Sequence, residues 1–72
     1  MRRFLIVVER AGENFSAYSP DLPGCVAVGE TREEALALIR DAIDLHIEGL
    51  KKAGQSIPRP SSTAEVVDVH AA

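Results

Sequence analysis

Three side chains in this sequence could bind a metal ion or act as a nucleophile or base: Cys25, His46 and His70. None of them stands at the short spacing that zinc sites need, and the sequence has no second cysteine. His46 falls on an apolar helical stripe, where a packed histidine is far more common than a metal ligand. The sequence therefore predicts no metal site and no cofactor.

Hydroxyl and carboxyl groups also fail to form a catalytic set. Ser16 and Ser19 have no base at a fixed spacing, and no glycine pattern of a nucleophile elbow surrounds them. Each nearby acid has a structural role instead: Asp21 in a turn, Glu34 in a helix cap and Asp41 on an exposed helix face. We therefore expect no catalytic residues and no enzymatic activity.

The composition limits the classes of protein to which this chain can belong. The chain has 72 residues, one cysteine and 46% hydrophobic residues, which is enough for one small globular domain. Eleven acidic residues against eight basic ones give a net charge of −3, which disfavours binding to a phosphate backbone. The apolar run over residues 4–8 is too short for a signal peptide or a membrane span. We expect a cytoplasmic protein with no membrane contact and no direct DNA binding.

Three short strands are predicted to position these residues. The apolar run at 4–8, which is rich in β-branched residues, predicts a strand that ends before the turn at Gly12. Residues 15–18 alternate in polarity and form the second strand of an antiparallel hairpin. A proline-rich turn then leads to a third strand at 25–28.

One long helix is predicted over residues 32–53. Thr31 and Glu34 have the spacing of a capping box, and Gly54 is a typical stop. Beyond it, residues 64–70 are strand-like, with Val67 and Val69 on one side. The predicted fold is α+β, in the order β-β-β-α-β, with an antiparallel sheet and one long helix packed on one face.

Self-association follows from the apolar surface that this fold leaves uncovered. Both faces of the first strand are apolar, Leu5 and Val7 forming one of them, while only one helix is present to cover the sheet. Leu38 and Leu45 lie seven residues apart, away from the main helical stripe. They are either ordinary surface residues or contacts with another chain. We expect a dimer or a tetramer, with Leu5, Val7, Leu38 and Leu45 as candidate contacts.

The segment at 18–25, Tyr-Ser-Pro-Asp-Leu-Pro-Gly-Cys, followed by Gly29, Thr31 and Glu34-Ala35, resembles the HicB-like antitoxin family. The resemblance implies a partial ribonuclease-H-like fold and a small basic HicA-like toxin ribonuclease as partner. Longer members carry a C-terminal DNA-binding domain. We expect a single HicB-like domain over residues 1–72 without that addition.

The resemblance implies an antitoxin that binds and inhibits a small mRNA-degrading toxin of a type II toxin–antitoxin pair. The candidate contacts are acidic residues around the motif: Asp21, Glu30, Glu33 and Glu34. The alternative is a stand-alone oligomeric module, structural or ligand-responsive, with the same fold and no toxin. A nuclease is disfavoured, because the strand at 4–8 lacks the acid that active ribonuclease-H-like enzymes carry there.

Overall fold

A computed structural model describes residues 2–71 of the chain. The first element is a hairpin of β1 (Val7–Ala11) and β2 (Asn14–Tyr18), in which Val7 pairs with Tyr18 and Ala11 with Asn14. The two-residue turn between them begins at Gly12, whose φ is +63°. A positive φ at the first turn residue is the geometry that a tight hairpin needs, and glycine adopts it without strain.

The third strand completes an antiparallel sheet in the order β1-β2-β3. Strand β3 (Val26–Gly29) pairs with β2, so that Tyr18 lies opposite Val26 and Phe15 opposite Gly29. Both β1 and β3 are therefore edge strands of the sheet within residues 2–71.

Helix α1 (Arg32–Lys52) has specific caps at both ends. The Thr31 side chain accepts a hydrogen bond of 3.0 Å from the Glu34 amide, as the capping-box prediction requires. At the other end Gly54 has a φ of +70°, and the Gln55 amide donates to the Leu50 carbonyl at 2.9 Å. These contacts form a Schellman motif, which ends the helix where the sequence predicted it.

The core lies between the helix and one face of the sheet. Phe4, Ile6 and Val8 pack against it from the first strand segment, all on the same side. The helix lies closest to β3 and contacts β1 least. The buried apolar residues of the core are Ala17, Leu22, Cys25, Ala35, Ile39 and Ile43.

Two predicted strands require correction. The first strand begins at Val7 rather than at residue 4. Strand β2 ends at Tyr18, the partner of Val7, so residues 4–6 have no residue of β2 to pair with. Residues 64–70, predicted as a fourth strand, form no strand: they have no neighbouring backbone to pair with, and Val66, Val67 and Val69 are 96%, 74% and 81% exposed. The α+β fold with three antiparallel strands and one long helix is confirmed.

Candidate partner-binding surface

The motif turn between β2 and β3 is anchored by its own backbone and by the core. The Leu22 amide donates to the Ser19 carbonyl, and the Cys25 amide donates to the Leu22 carbonyl, both at 3.1 Å. Gly24 supplies a φ of +83° between these bonds. Leu22 is only 1% exposed, so the turn folds inward around this side chain. The motif therefore has a structural role in the fold of the domain, which comes before any contact with a partner.

Asp21, in the same turn, holds the chain that follows the helix. Its Oδ2 accepts from the amides of Ser61 and Ser62 at 3.0 and 2.9 Å, and its Oδ1 accepts from their hydroxyls at 3.1 and 2.8 Å. Backbone hydrogen bonds from Ser62 and Ser61 lower the pKa of the Asp21 carboxyl to about 2. We call this arrangement the Asp21 clasp. No spacing pattern in the sequence relates residues forty positions apart, so sequence reasoning missed it.

The Asp21 clasp predicts an unusual pH dependence. Because the folded pKa lies below the ordinary value of 3.8, the clasp is fully formed above about pH 4 and is lost as the pH falls through about 2. Amide proton shifts of Ser61 and Ser62 should therefore titrate with a midpoint near pH 2. Asp21→Asn should remove the titration and speed amide exchange at both serines, since an amide group offers one acceptor oxygen instead of two. Asp68→Asn is the matched control and should change neither. A midpoint near pH 4 would contradict the clasp.

The other three acidic candidates lie around the start of helix α1. All three residues are exposed: Glu30, Glu33 and Glu34. Glu34 is engaged in the cap, where its Oε1 accepts a 3.2 Å hydrogen bond from the Glu30 amide. The carboxylates of Glu30 and Glu33 accept no hydrogen bond among residues 2–71. These two side chains are therefore the acids of the motif that are available to a partner.

The structure does not bring the four acidic candidates together. Asp21 follows Tyr18, at the end of the sheet where Tyr18 pairs with Val26. Glu30 follows Gly29, at the opposite end of β3. The length of β3 separates Asp21, which is hydrogen-bonded within the chain, from the three glutamates at the start of helix α1.

The face of the sheet opposite the helix carries exposed apolar side chains beside two polar residues, Glu9 and Ser16. Val26 and Val28 of β3 are 60% and 56% exposed, and Leu5 and Val7 are half-buried. Tyr18 lies between Val7 and Val26 on this face. A hydrogen bond to Glu9 and then the charge of that carboxylate raise the pKa of the tyrosine. We call Leu5, Val7, Tyr18, Val26 and Val28 the outer sheet face.

The helix leucines singled out from the sequence also face away from the core. Leu38 is 41% exposed and Leu45 is 70% exposed, whereas Ala35, Ile39 and Ile43 are buried against the sheet. The structure thus places Leu38 and Leu45 on a different side of the domain from Leu5 and Val7. One flat contact cannot cover all four residues.

The described residues contain no group of three or more metal-ligating side chains. Cys25 is buried in the core, and burial raises the pKa of its thiol, which disfavours the reactive thiolate. Over residues 2–71 no helix combines the length and the apolar character needed to cross a bilayer.

The three-stranded antiparallel sheet with one long helix on one face defines a small domain of the α+β class. The family model described as the HicB-like antitoxin of bacterial toxin–antitoxin systems matches residues 4–71. The chain belongs to the HicB-like antitoxin family.

Relatives and solved structures agree with this assignment. A UPF0150 protein of Thermoplasma acidophilum is 37% identical over 96% of this chain and 99% of its own. Antitoxin HicB 2 of Photorhabdus laumondii is 32% identical over 88% of this chain, which spans 45% of that relative. The N-terminal domain of Burkholderia pseudomallei antitoxin HicB is 34% identical, with a TM-score of 0.70 over 81% of this chain and 69% of its own.

A further similar structure is a chain from a HicA3 and HicB3 toxin–antitoxin complex. It is 29% identical, with a TM-score of 0.66 over 82% of this chain and 72% of its own. In both solved structures the likeness covers about four-fifths of this chain.

Proposed function

We propose that this chain is an antitoxin that binds a small basic HicA-like ribonuclease toxin and occludes its active site, without turnover of its own. The observation that carries the proposal is its likeness, over most of its length, to a chain solved in a complex of toxin and antitoxin. The net charge of −3 suits a basic partner.

The acidic contact with the toxin is formed by Glu30 and Glu33. Both carboxylates are exposed and accept no hydrogen bond within residues 2–71. Asp21 and Glu34 contribute by holding the turn and the helix cap in place rather than by free charge. Two of the four predicted acidic residues therefore contact the partner, and the other two stabilise the fold.

The test measures binding to the purified product of the small basic reading frame beside this gene, by titration calorimetry and by protection of an RNA substrate. Glu30→Lys with Glu33→Lys should weaken binding at least about tenfold, since reversal places like charges against a basic surface. Asp41→Lys with Glu48→Lys changes the net charge equally on another part of the helix and should leave binding within about threefold. Equal losses from both pairs would contradict the assigned contact.

The same titration tests the function itself. If the wild-type chain neither binds that product nor protects RNA from it, the antitoxin proposal fails. The stand-alone module then takes its place.

We also propose that the chain associates with itself and is active in the cytoplasm. The outer sheet face supports self-association, because Val26 and Val28 are more than half exposed beside Leu5 and Val7. At about 25 cal/mol per Å², covering such a face with a second copy contributes several kcal/mol to association. Leu38 and Leu45, on another side of the domain, are candidate contacts for a second pairing of copies.

A further inference from the structure

The Asp21 clasp leaves one of its two serine side chains accessible from solvent. Ser61 is exposed and Ser62 is half-buried, and the Ser61 hydroxyl donates to Asp21 Oδ1 at 3.1 Å. No residue from 56 to 71 takes part in a backbone–backbone hydrogen bond within residues 2–71. An enzyme can therefore bind the chain around Ser61 in an extended conformation without unfolding the sheet or the helix. These two properties make Ser61 accessible to covalent modification.

A positively charged side chain lines the same cavity as Ser61. The cavity has a volume of about 450 Å³, and Arg3 and Leu5 line it together with Ser61 and Thr63. The Ser61 side chain thus has the Asp21 carboxylate as its hydrogen-bond partner and a guanidinium in the adjoining cavity. Guanidinium groups bind phosphate through paired, charge-assisted hydrogen bonds. The two sides of Ser61 therefore offer opposite charges to any group that is attached to its oxygen.

We propose that Ser61 is a phosphorylation site, and that phosphorylation opens the Asp21 clasp and moves the side chain at position 61 to Arg3. A serine kinase transfers the γ-phosphoryl group of a nucleoside triphosphate to Ser61 Oγ. The new O–P bond replaces the bond to the β-phosphate oxygen, the nucleoside diphosphate leaves, and the hydroxyl proton passes to a base of the kinase. The ester oxygen can no longer donate a hydrogen bond, and the phosphate carries a charge of about −2 at neutral pH.

Charge determines the direction of this change. The pKa of the Asp21 carboxyl is about 2, so this group is a carboxylate at neutral pH. A phosphate on Ser61 Oγ, which lies 3.1 Å from Asp21 Oδ1 in the clasp, is repelled by the carboxylate and attracted by Arg3. The chain from Ser61 onwards then loses its attachment to the motif turn. Glu30 and Glu33 follow the opposite end of β3 and keep their positions, so the modification does not act on the proposed toxin contact.

The first experiment uses the full chain of 72 residues, made by chemical synthesis with phosphoserine at position 61. Amide exchange at Ser62 should become at least about tenfold faster, because the clasp is open. Phosphorus NMR should show the second phosphate pKa about 0.5 below its ordinary value near 6, and Arg3→Gln should restore that value. Phosphoserine at Ser56, an exposed position outside the clasp, is the matched control and should change neither quantity. Unchanged exchange at Ser62, or a phosphate pKa that Arg3→Gln does not move, would overturn the proposed switch.

The second experiment asks whether the source cell modifies this serine. The purified chain is incubated with an extract of those cells and ATP labelled in its γ-phosphate. Ser61→Ala should remove most of the incorporated label, and Ser56→Ala should leave it unchanged. Asp21→Asn weakens the clasp but keeps the serine, so it should increase the labelling. No label on the wild-type chain, or equal label on Ser61→Ala, would overturn the proposal. Neither experiment includes a toxin, so either can fail while the antitoxin proposal stands.

Discussion

Gly29→Ala should remove a large fraction of the free energy of unfolding of the domain. A Cβ at this position would lie 2.5 Å from the Ala35 amide nitrogen and 2.9 Å from its Cα. These are backbone atoms of the first helical turn, which cannot rotate away as a side chain could. Separating β3 from the helix by overpacking costs about 3 kcal/mol. The total free energy of unfolding of a domain this size is only about 4 to 11 kcal/mol.

Gly49→Ala is the matched control for this expectation. Gly49 lies in the helix, and a Cβ there would meet no atom within 4 Å. Alanine should raise the free energy of unfolding by up to about 1 kcal/mol, because it favours the helical backbone more than glycine does. Urea unfolding followed by circular dichroism compares the two variants directly. Equal stability of the two variants would show that β3 and the helix do not approach as described.

Local sequence signals predicted the helix and the antiparallel hairpin, because each depends on neighbouring residues. The capping hydrogen bond between Thr31 and Glu34 and the stop at Gly54 lie where the spacing placed them. The extent of β1 was not predictable in this way, because pairing with β2, rather than apolar character, decides where a strand begins. Residues 4–6 are as apolar as Val7 and Val8 but have no partner strand.

Long-range contacts account for what the sequence could not predict at the candidate site. The residues around Asp21 in the sequence do not indicate its hydrogen bonds to Ser61 and Ser62. An aspartate in a turn has the same local sequence pattern whether its carboxylate is free or hydrogen-bonded. The placement of Leu5 and Val7 on the outer sheet face, in contrast, was predictable, because alternation along a strand puts both on the side away from the helix.

Leu22→Ala should destabilise the domain by about 3 kcal/mol, the usual cost when a buried leucine leaves a cavity. Leu22 is one of the two largest fully buried side chains and the only buried apolar residue between Pro20 and Gly24. Its neighbours in the turn are tied to it by the Leu22–Ser19 and Cys25–Leu22 backbone hydrogen bonds. Loss of this anchor should therefore also loosen the Asp21 clasp, and amide exchange at Ser61 should quicken even under conditions where the helix remains folded.

Pro23→Ala, one residue further along, is the control for Leu22→Ala. Pro23 is exposed, so its replacement should cost at most about 1 kcal/mol through greater freedom of the unfolded chain. Urea unfolding gives both free energies, and hydrogen exchange reports the clasp. If the two variants lose equal stability, Leu22 does not anchor the turn. If Leu22→Ala is destabilised while exchange at Ser61 is unchanged, the motif turn and the clasp are independent, and the buried leucine serves the core alone.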